Sequence, residues 1–422
     1  MRSSTSCVKG NKSMHIRRDI LQVLLVLNAI FAAFCRSELV LLHEYPLAKC
    51  LDGTPSGYYF TKATNESLSN RFMIILEGGG MCTHFEGCTQ RSKTDLGSSK
   101  NWEKTFTWNK WSLTTNDTAN PFREWNKVWV KYCDGSIWSG ARKSPSNETF
   151  NLWFNGHNTV TAVFQDLAKK TSVNKTDAFT VFAGGSAGGL GVFINYDYVS
   201  SILQSTLVGV PIGGYVPNIE WYTGKDSTVP PVDVRDPAFI HHRKLYNAFL
   251  PEKCLTNLGD SNGYKCLIPR HSYKYTKRPL FIIESLTDSI VLTGFEGVPE
   301  DFIFWPTSVK QFISDYGKNA SENFAQVLNS TRDGMFAASC LLHCNFRLDK
   351  PLIDGENAVG GLFKWVQQYM DKDRQEYGGQ LWNPGSPQAQ FKWIDRCKDD
   401  VYWPPCNGKC PLIPNKLGES DL

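Results

Sequence analysis

No block of lysine and arginine occurs in this chain, and its formal net charge of +4 is small for 422 residues. Nucleic-acid binders carry a basic stripe or cluster, so that class is set aside. Long hydrophobic runs are missing too. The longest, residues 20–35 (ILQVLLVLNAIFAAFC), is broken by Gln22 and Asn28. A membrane span takes about 20 apolar residues. There is no internal repeat, no low-complexity block and no linker long enough to split the chain, so one domain is expected. A Walker lysine and a G-x-G-x-x-G string are both absent, which disfavours phosphate binding by a glycine-rich turn. Histidine is scarce, with eight in all, so few residues can serve as a general base.

What is present suits a large secreted enzyme. Hydrophobic residues make up 41% and aromatics 13%, enough for a sizeable core. Lys9, Lys12, Arg17 and Arg18 precede the apolar run, and Ala32 and Ala33 stand near its end. That pattern reads as a signal peptide over residues 1–37, with Met14 as an alternative start and a type II anchor as the competing reading. Residues 38–422 are then the mature chain, secreted or held in a cell wall, monomeric and without a stable membrane span. Sequons occur at Asn65, Asn116, Asn147, Asn174, Asn319 and Asn329, the acceptor pattern of a glycoprotein. Thirteen cysteines, less Cys7 and Cys35 in the leader, leave eleven. Most should pair in an oxidising compartment, and one is left over. Cys82 with Cys88 and Cys254 with Cys266 bracket short loops and are the expected bridges. A zinc site at Cys340, Cys344, Cys406 and Cys410 is the weaker alternative.

Short apolar runs at 72–76, 128–132, 178–183, 207–212 and 280–284 read as strands buried on both faces. Val160, Val163, Phe164 and Leu167 repeat at helical spacing before the third of them, and a further helix is expected over 359–370. The alternation predicts an α/β fold of the α/β-hydrolase type, a mostly parallel sheet flanked by helices. Residues 104–124 and 223–243, rich in Trp, Asn, Asp and Pro, read as surface excursions that could shape a substrate site.

The chemistry centres on AFTVFAGGSAGGLGVF. Gly184, Ser186 and Gly188 form G-x-S-x-G between a buried-type strand and a helix, the setting of a nucleophile elbow. A serine nucleophile needs a base and an oxyanion hole. The turn LEGGGMC follows the strand at 72–76, so backbone amides of Gly79 and Gly80, with that of Ala187, are candidate oxyanion donors. In an α/β-hydrolase the acid and then the histidine follow the serine in the chain. Asp288 lies directly after the strand at 280–284, with Glu284 as its rival. Only His343 lies beyond Asp288, so chain order selects it as the base.

These segments resemble the pectin acetylesterase/Notum family of secreted esterases. The likeness runs through CLDGTPSGYYF (50–60), LEGGGMC, GSSKNWEK, YCDGSIWSG, GGSAGGLG, the Asp288 strand end, SCLLHC and WPPCNGKC, in the family's order. It implies that Ser186, Asp288 and His343 are the catalytic triad and that Gly79, Gly80 and Ala187 form the oxyanion hole. Plant-type members remove acetyl groups from pectin; Notum-type members remove a palmitoleoyl group from Wnt proteins. SCLLHC and the Cys-rich terminus are plant-like, whereas CLDGTPSGYYF and IWSG are nearer the animal type. Met81 replaces the usual plant-type Trp, Gly80 stands at the Notum-type Trp position, and GVPIGGYV lacks the family's Asp.

The function expected is therefore serine ester hydrolysis, with acetyl on an extracellular polysaccharide as the first reading and a palmitoleoylated secreted protein as the second. An inactive hydrolase-fold binding protein is the alternative of another class. No metal or organic cofactor is required for this chemistry.

Overall fold

The computed structural model describes residues 37–106, 113–217, 220–228, 230, 232–301, 305–370 and 391–411. Ten strands form one sheet: β1 (Ser37–Leu41), β2 (Gly57–Thr61), β3 (Arg71–Leu76), β4 (Thr105–Phe106), β5 (Asn126–Val130), β6 (Phe179–Gly185), β7 (Thr206–Ile212), β8 (Phe281–Ser285), β9 (Gly334–Ala338) and β10 (Lys392–Ile394). Their order is β10-β9-β8-β7-β6-β3-β5-β2-β1-β4. From β10 to β5 every pairing is parallel; β2, β1 and β4 add an antiparallel edge. The five apolar runs of the sequence are β3, β5, β6, β7 and β8, each within two residues of its expected bounds.

The central parallel strands are mostly apolar because both faces are covered. Phe72, Ile74 and Leu76 of β3 enter one core with Val160, Val163 and Phe164 of α2 (Gly156–Lys170). Met73 and Ile75 enter the other with Leu362 and Trp365 of α7 (Ala358–Met370). Neighbouring residues on a strand point to opposite faces, so one strand feeds two cores. Between α2 and α7 lie α3 (Ala187–Ile202), α4 (Ala238–Tyr246), α5 (Glu252–Leu258) and α6 (Thr307–Asn323); α1 (Phe85–Arg91) follows β3.

Five disulfides staple the fold: Cys50–Cys133, Cys82–Cys88, Cys254–Cys266, Cys340–Cys410 and Cys397–Cys406. Two are the bridges expected from the short loops. Cys50–Cys133 spans 83 residues; a loop of that size restricts the unfolded chain by about 4–5 kcal/mol. With Cys340, Cys406 and Cys410 oxidised, the zinc alternative is removed.

Two expectations need adjustment. The excursion at 104–124 is not merely surface. Thr105 and Phe106 form β4, Phe106 stacks on Tyr59, and Leu113 and Phe122 are buried under the sheet edge. Its Trp108 and Trp111 lie outside the described residues. The excursion at 223–243 ends inside α4. Residues 1–36 of the expected leader lie outside the described residues; Ser37, its last residue by the expected boundary, stands in β1 with Oγ donating to the Phe106 carbonyl.

Candidate active site

All the candidate groups sit at the carboxyl ends of parallel strands, where α/β folds place their ligands. The chain leaves β6 and turns at once into α3. Ser186 stands at that turn with φ 54° and ψ −122°, a strained conformation that costs about 1–3 kcal/mol and is typical of functional turns. The flanking glycines are required by contact. A Cβ on Gly188 would stand 2.1 Å from the Leu76 carbonyl oxygen, and one on Gly184 would stand 2.3 Å from that of Gly188. The turn is tied to the next strand: the Ser186 amide donates to the Ile212 carbonyl at 2.8 Å.

His343 comes from the loop after β9 and Asp288 from the loop after β8. His343 Nδ1 lies 2.6 Å from Asp288 Oδ2, and both side chains are buried. Asp288 Oδ1 accepts from the amides of Ile290 (3.0 Å) and Val291 (2.9 Å), which fixes the carboxylate at the start of a one-turn π-helix. The rival, Glu284, faces elsewhere. Its carboxyl accepts from the Tyr215 amide at 2.8 Å and the Ser285 amide at 3.3 Å. Burial, reinforced by the neighbouring charge of Asp288, pushes its pKa well up. For His343, burial lowers the pKa. The charge of Asp288, the Cys344 side chain and the hydrogen bonding of His343 with both outweigh it, and the net shift is upward.

His343 Nε2 is buried and has no hydrogen-bond partner among the described residues. It lines the same pocket as Ser186. A histidine with one nitrogen on a carboxylate and the other free beside a serine is arranged to take and return a proton.

The glycine turn after β3 lies across from Ser186. A Cβ on Gly78 would stand 3.0 Å from the Ser186 Cβ. Gly79 (φ 136°) and Gly80 (φ 66°) adopt conformations that L-residues rarely take. Among the described residues, the amides of Gly79, Gly80 and Ala187 donate to no hydrogen bond. That of Ala187 is the first of α3, where helical amides have no internal acceptor. Gly80 and Ala187 line the pocket; Gly79 sits behind them, packed on Leu96.

The rest of the pocket is mostly apolar: Met81, Ile137, Leu190, Val216, Val234, Phe239, Ile268, Val291 and Phe295, with the Arg270 guanidinium as its charged wall among the described residues. Val234 and Phe239 come from the 223–243 stretch, so that excursion does shape the site; the described part of 104–124 does not reach it. The empty space is about 540 Å³ counted with its open mouth, but the centre of a water molecule can occupy only about 40 Å³ of it. No side chain approaches within 4 Å of a Cβ built on Gly80.

Sequence reading missed Cys344 as the odd cysteine. It is the free thiol among the described residues, buried beside His343, with Sγ 3.6 Å from the Ile212 carbonyl that also holds the Ser186 amide. The unpaired count announced one spare thiol without saying which. Of the sequons, Asn65, Asn116, Asn147 and Asn329 are exposed; Asn174 and Asn319 are half-buried. Asn319 lies within α6 and accepts from Asn323, not in a loop.

Comparison with known proteins gives the family. The family model described as Pectinacetylesterase matches residues 33–411. The chain belongs to the pectinacetylesterase family. It is 29% identical over 387 residues to palmitoleoyl-protein carboxylesterase notum1a of Danio rerio, an alignment that covers 86% of this chain and 70% of the relative. It is 29% identical over 320 residues to pectin acetylesterase 11 of Arabidopsis thaliana, covering 70% and 76%. The solved Wnt deacylase Notum from Drosophila superposes with a TM-score of 0.72 at 23% identity, over 89% of this chain and 99% of that one, and so shares its fold. This pectinacetylesterase-family chain is thus an esterase on an α/β-hydrolase scaffold with a ten-stranded sheet.

Proposed function

We propose that this chain is a serine esterase that removes acetyl groups from an extracellular polysaccharide. Ser186 is the nucleophile, His343 the base and Asp288 the group that orients it. Attack of Ser186 Oγ on the ester carbonyl sends its proton to His343 Nε2. The negative charge that develops on the carbonyl oxygen is met by the free amides of Gly79, Gly80 and Ala187. Collapse expels the sugar hydroxyl, which takes the proton back from His343. Water, activated by the same histidine, then releases acetate. Glu284 supports the Tyr215 and Ser285 amides and takes no proton in these steps.

The observation that supports acetyl is the size of the pocket. A water molecule needs about 10–15 Å³ of such centre-accessible volume, so about 40 Å³ suits a group of a few heavy atoms. A long acyl chain gains about 0.8 kcal/mol per buried methylene only where an apolar wall continues. The second reading, a deacylase for a palmitoleoylated secreted protein, draws on the apolar lining and on relatives named palmitoleoyl-protein carboxylesterases. A kcat/KM series from acetyl to octanoyl esters separates the two. Acetyl is expected to be best; a tenfold or greater rise toward octanoyl decides for the deacylase. The enzyme is proposed to act outside the cell as a monomer, glycosylated at exposed sequons.

A further inference from the structure

The turn that carries Gly79 and Gly80 is held by a set of groups that the two-step mechanism does not use. Tyr132 is fully buried, and its hydroxyl donates to the Gly80 carbonyl at 2.9 Å. The same oxygen accepts from the Ile137 amide at 2.7 Å. With that acceptance made, the phenolic proton is committed to Gly80. The Arg91 guanidinium lies over the Tyr132 ring, 5.1 Å from its centroid. Arg91 is the last residue of α1, and the Cys82–Cys88 bridge ties α1 to the end of the glycine turn.

Arg91 is not neutralised in the ordinary way. Its Nε donates to the Leu96 carbonyl at 3.1 Å, but Nη2 is buried and has no acceptor among the described residues. No carboxylate forms an ion pair with it there. Asp134, the acid that shares its field, accepts from the Ser136 hydroxyl and the Gly156 amide on Oδ2, and its buried Oδ1 has no hydrogen-bond partner among the described residues. Nη2 stands 3.3 Å from the position of a Cβ on Gly79. Arg91 as a whole is half-buried, but a guanidinium nitrogen buried without an acceptor is costly, and an apolar side chain of similar length would fill the place at lower cost. Its position directly behind the turn gives the cost a use.

We infer that Arg91 and Tyr132 are positioning residues for the oxyanion. Tyr132 fixes the orientation of the Gly80 peptide, and Arg91 places a positive charge behind amides that must face a developing negative one. Interactions of this kind act on the transition state more than on the bound ester. The inference rests on the proposed roles of Ser186 and the glycine turn.

The test uses Arg91→Met, Arg91→Lys and Tyr132→Phe, with Ser186→Ala as control, on an acetyl ester and on an aryl trifluoromethyl ketone. That ketone adds a serine to give an anionic hemiketal, so its Ki reports oxyanion stabilisation. Arg91→Met and Tyr132→Phe should each lower kcat about tenfold to a hundredfold with KM within about threefold, a loss below that for deleting an oxyanion donor outright. The ketone Ki should rise in proportion, and Arg91→Lys should recover most of both. If Arg91→Met does not fold, Arg91→Gln carries the same comparison. An inert Ser186→Ala with unaltered kcat and Ki in the other variants overturns this inference alone. So does a fall in kcat without a matching rise in Ki, which marks a merely structural role. Full activity in Ser186→Ala overturns the proposed function as well.

Discussion

Replacing Asp288 by Asn, and Glu284 by Gln, separates two carboxyls that the sequence leaves four residues apart. Asp288 uses Oδ1 for the Ile290 and Val291 amides and Oδ2 for His343 Nδ1. Asn at this position satisfies the two amides only with its carbonyl oxygen, so its NH2 then faces Nδ1. Nδ1 becomes the acceptor, the ring proton moves to Nε2, and Nε2 is no longer able to accept from Ser186. A wrong tautomer of this kind costs about 10⁴ in kcat, roughly 5.5 kcal/mol of barrier. Glu284→Gln is a different matter. The Tyr215 amide sits on Oε2 at 2.8 Å and the Ser285 amide on Oε1 at 3.3 Å, so a Gln carbonyl oxygen at Oε2 keeps the shorter bond and gives up only the longer one, and neither bond involves His343. Its kcat should stay within about tenfold of wild type. The assay is initial-rate hydrolysis of an acetyl ester at saturating substrate, with Tm to confirm folding. A folded Glu284→Gln that falls as far as Asp288→Asn, or an Asp288→Asn within tenfold of wild type, refutes the assignment.

The base must be neutral to act, and the net upward shift on His343 moves the acid limb of kcat/KM above the ordinary histidine value of about 6.5. A pH profile with its acid limb at or below 6.5 contradicts this. Glu296 is buried, and burial, with Arg270 opposing and Glu220 adding, raises its pKa to about 8. The folded state then binds a proton that the unfolded chain has released above about pH 4.3, so stability falls as pH rises through that window to about 8. Glu296→Gln lacks this slope; its Tm should gain on wild type by several degrees between pH 5 and 8, and parallel curves would count against the shift. Cys344 should resist iodoacetamide in the native protein and react once unfolded, because the thiol is buried and its pKa is pushed up by that burial. Rapid native labelling at Cys344, read by peptide mass, argues otherwise.

The sequence alone determined the layers and the candidate groups for the chemistry. Strands buried on both faces must be apolar without alternation, so β3, β5, β6, β7 and β8 were legible as runs. G-x-S-x-G was legible because the close approaches of Gly184 to the Gly188 carbonyl and of Gly188 to that of Leu76 leave no room for a side chain. His343 followed from chain order and from the scarcity of histidine. What the sequence could not decide depends on groups brought together from distant segments. β1, β2, β4 and β10 are short or edge strands of mixed composition, defined by their partners more than by pattern. The choice between Asp288 and Glu284 turned on which carboxyl faced His343, a matter of loop direction. Cys344 became the spare thiol only once Cys340 had paired with Cys410, 70 residues away. The pocket exists because Phe239 of α4, Ile268 and Phe295 are brought to line it with Ser186 from separate segments of the chain, and the cation behind the glycine turn is there because α1 folds back beneath it. Local sequence sets which residues are able to do the work; the distances between them, and the charges each one meets, exist only in the folded chain.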